Sequence, residues 1–201
     1  MKNKESGEKA LFFQRLMAFL IDVLIVSLLT SFLSNPFVDN KKIEKLSEDV
    51  VNLVEKYGEK EIDTKKYVAD YINISYDLAK ENGKIVIIQI LLGIGFYIIV
   101  PLYSNGQSVG KKLLKIRVVS ENGELTSNQL VFRSFIANAL LVDILSLMFL
   151  IFASRSMYFY LLAIFKLIQY IITFISIVLV IYSKKGLAIH DKLVHTRVVR
   201  C

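Results

Sequence analysis

Leu16-Met-Ala-Phe-Leu-Ile-Asp22-Val-Leu-Ile-Val-Ser-Leu-Leu-Thr-Ser-Phe-Leu33 is eighteen residues long and carries a single charge. A helix needs about 20 largely apolar residues to cross a hydrocarbon core of ~30 Å, so this stretch reads as a membrane span with one aspartate inside it. Its apolar run exceeds the core of a signal peptide and lacks an A-x-A-like cleavage site, which makes it an expected retained span. Three more stretches follow the same pattern. Ile85 to Tyr103 is uncharged and contains Gly93, Gly95 and Pro101; Leu130 to Phe152 carries Arg133, Asn138 and Asp143; Met157 to Tyr182 carries Lys166 and Gln169. The link Ala153-Ser154-Arg155-Ser156 is short enough to make the last two an antiparallel hairpin.

The composition agrees. Of 201 residues, 54% are apolar and 21% charged, mean hydropathy is +0.51 and net charge is +7. A soluble domain holds about 45–50% apolar and about 25% charged residues, so a soluble single-core enzyme is excluded. One cysteine, Cys201, excludes a disulfide-stapled module. Thirteen Lys and Arg lie before the first span, between the second and third, and after the fourth; they include Lys2, Lys4, Lys9 and Arg15. The 34–84 segment has nine lysines against eleven acids. The positive-inside rule then predicts a multi-pass cell-membrane protein with both termini cytoplasmic. The positive flanks suit anionic headgroups, so the expected partner is the lipid bilayer, with a homo-oligomer or another membrane protein as further candidates; nothing calls for nucleic acid.

Residues 39–84 form an expected extracytoplasmic insert within a 1–201 membrane domain. Ile43, Leu46, Val50, Leu53 and Tyr57 make one helical stripe, with a stop at Gly58. Asp63 or Thr64 can cap a second helix, striped by Tyr67, Tyr71, Ile74 and Leu78 and ending before Gly83. The predicted fold is therefore all-α: a four-helix transmembrane bundle of two hairpins, with a two-helix insert and short cytoplasmic interfacial segments.

Catalytic and metal motifs fail. Gly106-Gln-Ser-Val-Gly110-Lys111 is one residue short of a phosphate loop, and Lys112 stands where Ser or Thr is required. His190, Asp191, His195 and Cys201 match no zinc spacing. No catalytic residue, cofactor or metal is expected, and the reading is non-enzymatic. The segments do repeat: Val109–Val119 aligns without gaps on Ile189–Val199, with five of eleven positions identical, among them Arg117/Arg197. Each pair of spans also opens with an arginine followed by an aspartate, which suggests an internal duplication about an axis along the membrane normal.

Arg15-Leu-Met-Ala-Phe-Leu-Ile-Asp22, Gly106-Gln-Ser108-Val-Gly110-Lys111-Lys-Leu-Leu-Lys-Ile-Arg117 and Leu187-Ala-Ile-His190-Asp191-Lys-Leu-Val-His-Thr196-Arg together resemble the RDD family of membrane proteins. The resemblance implies that Arg15, Asp22 and Asp191 are the arginine and two aspartates of the family's name. It covers the chain apart from the insert, and cation/proton exchange has been proposed within the family.

Charges at membrane depth cost roughly 2.5–3.5 kcal/mol each on lenient scales, so each should have a partner or a water-filled cavity. Arg15 leans toward the cytoplasmic end, where it can meet Asp191 or a lipid phosphate; Arg133 can reach Asp22. Asp143 and Lys166 lie at nearly equal depth across the hairpin and are an expected ion pair. Two functions remain open: cation/proton or small-solute transport using Asp22, and a scaffold or assembly subunit in which Arg15, Asp22 and Asp191 only latch the tail.

Overall fold

A computed structural model describes residues 7–201; Lys2 and Lys4 of the basic flank lie outside them. α1 spans Phe12–Ser34 and is followed by a 3-10 turn, Asn35–Phe37, that starts on Asn35-Pro36. α2 (Asn40–Gly58) and α3 (Thr64–Ile94) each begin at an aspartate. Asp39 accepts from the Lys42 N–H at 3.1 Å and Asp63 from the Lys66 N–H at 2.7 Å. These side chains satisfy amide donors that a helix start leaves open.

α2 stops at Gly58, and its stripe zips onto α3. Leu53 is buried, and Tyr57 stacks on Tyr67 with ring centroids 4.3 Å apart. Lys42 pairs with Glu81 at the other end of the contact. One expectation here needs correction. The second helix does not end before Gly83 but runs on through a π-turn, Gly95–Ile99, and α4 (Val100–Tyr103), a single rod of 40 residues. Gly83 is buried against α7, where an added Cβ would meet Leu150 at 3.4 Å. A methyl would fit there in ordinary contact, so Gly83 is a residue inside the helix and not a cap, and the apolar run beyond it gives α3 no reason to stop.

The third predicted span is also corrected. It is α6 (Ser127–Ala137) and α7 (Leu140–Phe152), bent by 68° at Asn138-Ala139. Ala139 sits at φ 56°, in the left-handed region, and this ends the hydrogen-bond ladder. The Gln169 amide donates to the freed Ile136 carbonyl at 3.0 Å, and the Ser134 hydroxyl to the Tyr97 carbonyl at 2.8 Å. α8 (Arg155–Tyr182) starts at Ser154 and runs back antiparallel to α7. By length and composition the described residues thus hold three helices able to cross a membrane, or four when the bent pair counts as one.

At the opposite end from the α2–α3 arm, the chain is not purely helical. α5 (Val109–Leu113) leads into β1 (Ile116–Ser120), and α9 (Ile189–Leu193) into β2 (Thr196–Arg200). The interfacial strips are therefore helix–strand units, which pair antiparallel with Val118 opposite Val198. Under the sequence repeat these two valines are equivalent, so a local two-fold axis passes between them. Both strands show the same pattern of burial, and Lys115 and His195 turn the two helices into the strands at φ 54° and 53°. Lys9 adds a bridge to Val199, so both described ends of the chain meet in this cap. The cap core is Ala10, Ala18, Ile116, Val118 and Val198.

Candidate functional site

The cap is held to the helices by two buried carboxylates. Asp22 lies in the middle of α1, and its two oxygens are both taken: Oδ2 accepts from the Ser108 hydroxyl at 2.5 Å and Oδ1 from the Gly110 N–H at 2.7 Å. Asp22 therefore holds the start of α5. The chain approaches so closely because position 110 is glycine; a Cβ there would lie 2.1 Å from the Ala18 carbonyl oxygen. Gly106, at φ +79°, turns α4 into this segment, and its Cβ would lie 2.2 Å from the Val118 oxygen. This arrangement corrects the expected Arg133–Asp22 contact. A hydroxyl and an amide of the folded-back strip reach Asp22 first.

Arg133 turns instead to Asp191, which is fully buried at the start of α9. Asp191 Oδ1 accepts from Arg133 Nη1; Oδ2 accepts from Arg15 Nη1 at 3.1 Å and from the Ala188 N–H at 3.1 Å. Arg133 also donates to the Thr196 hydroxyl at 3.1 Å, and Arg15 Nη2 to the Val198 carbonyl at 3.5 Å. So Arg15, Arg133 and Asp191 come together, and one carboxylate takes two arginines from α1 and α6. Arg117 lies on β1, opposite Val199.

Burial pushes the Asp191 carboxyl up, but the neighbouring charges, Arg133 foremost, override it and hold it well below the usual carboxylate range. His190 is forced the other way: burial, then the Arg133 charge, lowers its imidazole to about 3, so it is neutral at physiological pH. Lys111 follows the same physics. Burial first, and Arg133 second, bring its ammonium down to about 8.

An unfolded lysine titrates near about 10.4. Between about pH 8 and about 10.4 the unfolded chain binds more protons than the folded one, so stability is expected to rise with pH across that window. Thermal unfolding in detergent checks this, and Lys111→Met is expected to remove the rise.

These groups border a cavity of about 230 Å³ between α1, the π-turn, α6 and α8. Arg15, Asp22, Lys111, Arg133 and His190 line it together with apolar side chains such as Leu16 and Phe19. Ala137 and Asn138, at the break of the third span, line it too. With Asp191 counted behind its two arginines, the fixed charges here are three cations against two carboxylates. Sequence reasoning missed Tyr97 and Ser176 of this lining, and the Ala188 amide and Val198 carbonyl that complete the polar contacts around Asp191 and Arg15; backbone groups and neutral side chains carry no signal in composition or charge pattern.

The expected Asp143–Lys166 ion pair is not formed. Asp143 accepts from the Gln89 amide at 3.4 Å, and Lys166, exposed on α8, stays beyond ion-pair distance while its charge still acts on Asp143. The physical reason is the broken third span: the 68° bend sets Asp143 in the first turn of a new helix facing α3. Depth counted along two straight helices does not describe it.

No curated protein and no solved structure matches this chain. Residues 9–195 do match the profile of the RDD family. Arg15, Asp22 and Asp191, which here bind the cap to the helices, lie within the matched residues, and the chain belongs to the RDD family of membrane proteins.

Proposed function

We propose that this RDD protein is a non-enzymatic, multi-pass cell-membrane protein that moves a small solute through the cap-end cavity. Its four spans form two hairpins with the α2–α3 arm outside the cell, and the cap, bearing both described ends of the chain, faces the cytoplasm. The charge distribution favours this orientation, since the flanks of the cap hold most of the surplus lysine and arginine.

The observation that carries the reading is the broken span. Non-helical backbone at membrane depth is tolerated where it is buried in protein or lines a cavity, and discontinuous helices mark the binding sites of many transporters. Here the break at Asn138-Ala139 borders a cavity that also holds Arg15, Lys111 and Arg133. Four spans enclose little volume, so the pathway is completed in a homo-oligomer, for which the apolar, largely exposed circumference of α8 is available.

A cation or proton route through Asp22 is the weaker form of the reading, because both oxygens of that carboxylate already accept hydrogen bonds. Asp22→Asn leaves an amide where two donors converge. It is expected to cost about 1.5–3 kcal/mol of stability while flux per folded molecule is retained. Proteoliposomes carrying a pH-sensitive dye, assayed for cation-, anion- and proton-driven flux, provide the measurement. Loss of proton coupling alone in a well-folded Asp22→Asn protein would reinstate the proton relay.

The scaffold reading also has an observation in its favour. The arm continues the 40-residue rod of the second span and is braced where it meets the α7–α8 turn: the Tyr76 hydroxyl donates to the Leu150 carbonyl at 2.8 Å, and Arg155 donates to Asn73 at 2.9 Å. Absence of all flux, with membrane proteins co-purifying through the arm, would move the conclusion to an assembly subunit.

A further inference from the structure

The polar groups around the cavity do not balance. Each oxygen of Asp22 and Asp191 already accepts a hydrogen bond from the protein, so neither carboxylate is free to serve as the main ligand of a cation. Donors are left over. Arg15 Nε is buried without a hydrogen-bond partner, and Lys111 lines the same cavity with no carboxylate of the described residues within ion-pair distance of its ammonium. An unpaired buried donor costs free energy that a bound acceptor would return, and the more so for a charged one. Burial, and after it the Arg133 charge, lower the proton affinity of Lys111, so an anion beside the ammonium would be favoured. Leu16, Phe19, Ile172 and Ile177 from α1 and α8 give the wall an apolar side, and Tyr97, Asn138 and Ser176 add neutral polar groups. The cavity also sits at the end of the spans nearest the cap, and basic pockets between helices at that level suit lipid headgroups.

We propose that this cavity binds a phosphate-type oxyanion carried on an apolar tail, with Lys111 as its main cationic contact and Arg15 Nε as a second donor. The oxyanion supplies acceptors and no donors, which is what the site lacks. Leu16, Phe19 and the α8 side chains receive the first carbons of the tail. Arg133 stays on Asp191 and sets the positive potential. The inference deepens the reading of this cavity as the solute site and rests on it.

The test is calorimetric titration of the full chain in a non-ionic detergent with dihexanoylphosphatidylglycerol, inorganic phosphate and, as the zwitterionic control, dihexanoylphosphatidylcholine. The anionic lipid is expected to bind, and Lys111→Gln to weaken it by about 10-fold or more, the equivalent of one charge-assisted hydrogen bond. Lys111→Arg should retain binding. Lys192→Gln, which alters an exposed lysine outside the cavity, should bind like the wild type. Binding of the lipid without inorganic phosphate identifies a headgroup; equal binding of both identifies the free anion as sufficient and the tail as dispensable. Two results would overturn the proposal: no binding of either anion, or unchanged binding by a Lys111→Gln protein with a cooperative unfolding transition.

Flux in proteoliposomes separates this proposal from the transport reading. Binding without flux removes transport and leaves the ligand class standing. Flux at the wild-type rate from Lys111→Gln, with no anion bound, removes the ligand class and leaves transport.

Discussion

Asp191→Ala is expected to be the most damaging single substitution in the chain, at about 3–5 kcal/mol. The carboxylate is fully buried and takes both Arg15 and Arg133, whose side chains are only 13% and 9% exposed. Removing it leaves two guanidinium groups facing each other without an anion. It also removes the acceptor for the Ala188 N–H, so α9 loses its start. The expected result is a sharply lower unfolding midpoint in detergent and loss of the cap from the helices, read by proteolysis after Tyr182. Replacing all three charges, Arg15→Met and Arg133→Met with Asp191→Leu, is expected to recover much of the midpoint, because lone buried charges are the costly state.

The effect of pH on Asp191 has a definite sign. Its folded pKa is held below the unfolded value of about 3.9, so its contribution is complete above about pH 4 and is lost as pH falls through the folded value. The penalty of Asp191→Ala is therefore expected to be constant between about pH 5 and about pH 9. A penalty that fades at neutral pH would show that the carboxylate is not held by the two arginines.

Gly110→Ala is expected to have the second-largest effect, at the upper end of the about 1–3 kcal/mol seen for overpacked sites. The added methyl would lie 2.1 Å from the Ala18 carbonyl oxygen and 3.0 and 3.1 Å from two further backbone atoms of that residue. Backbone on both sides leaves no flexible side chain to move aside. α5 must then shift off α1, and the Gly110 N–H leaves Asp22, which breaks one of its two hydrogen bonds. Gly58→Ala is the control, since a methyl added there would have nothing within 4 Å of it. The measurement is the unfolding midpoint, with protease sensitivity of residues 104–129 reporting release of the segment.

Much of this was legible in the sequence, residue by residue. The Arg15–Asp191 contact follows from where each charge sits relative to the membrane surface, and the family resemblance singled out the same two residues. The α2 stop at Gly58 and the α3 start at Asp63 follow from local chain chemistry. The repeat of 109–119 on 189–199 announced two like units, though not that they would pair as strands; alternation over five residues is too short a signal, and the partner strand is 80 positions away. Arg133 was misassigned because Asp22 and Asp191 both look like suitable anions on a linear map. The bend at Ala139 was invisible, since alanine favours helix and only the surrounding contacts hold it at φ 56°.

What the sequence determined by itself is the set of segments and their ends. Hydropathy, caps and flanking charge act within one or two turns of helix, so they are written along the chain. The tertiary structure alone decided which carboxylate binds what. Asp22 became the anchor of α5 and Asp191 the shared partner of two arginines only when the cap folded back between the helices. Pairing of buried charges depends on distance and direction across elements far apart in sequence. The same folding left Arg15 Nε without an acceptor and set Lys111 beside it in the cavity wall, and that surplus is a property of the assembled cavity, not of any segment in it.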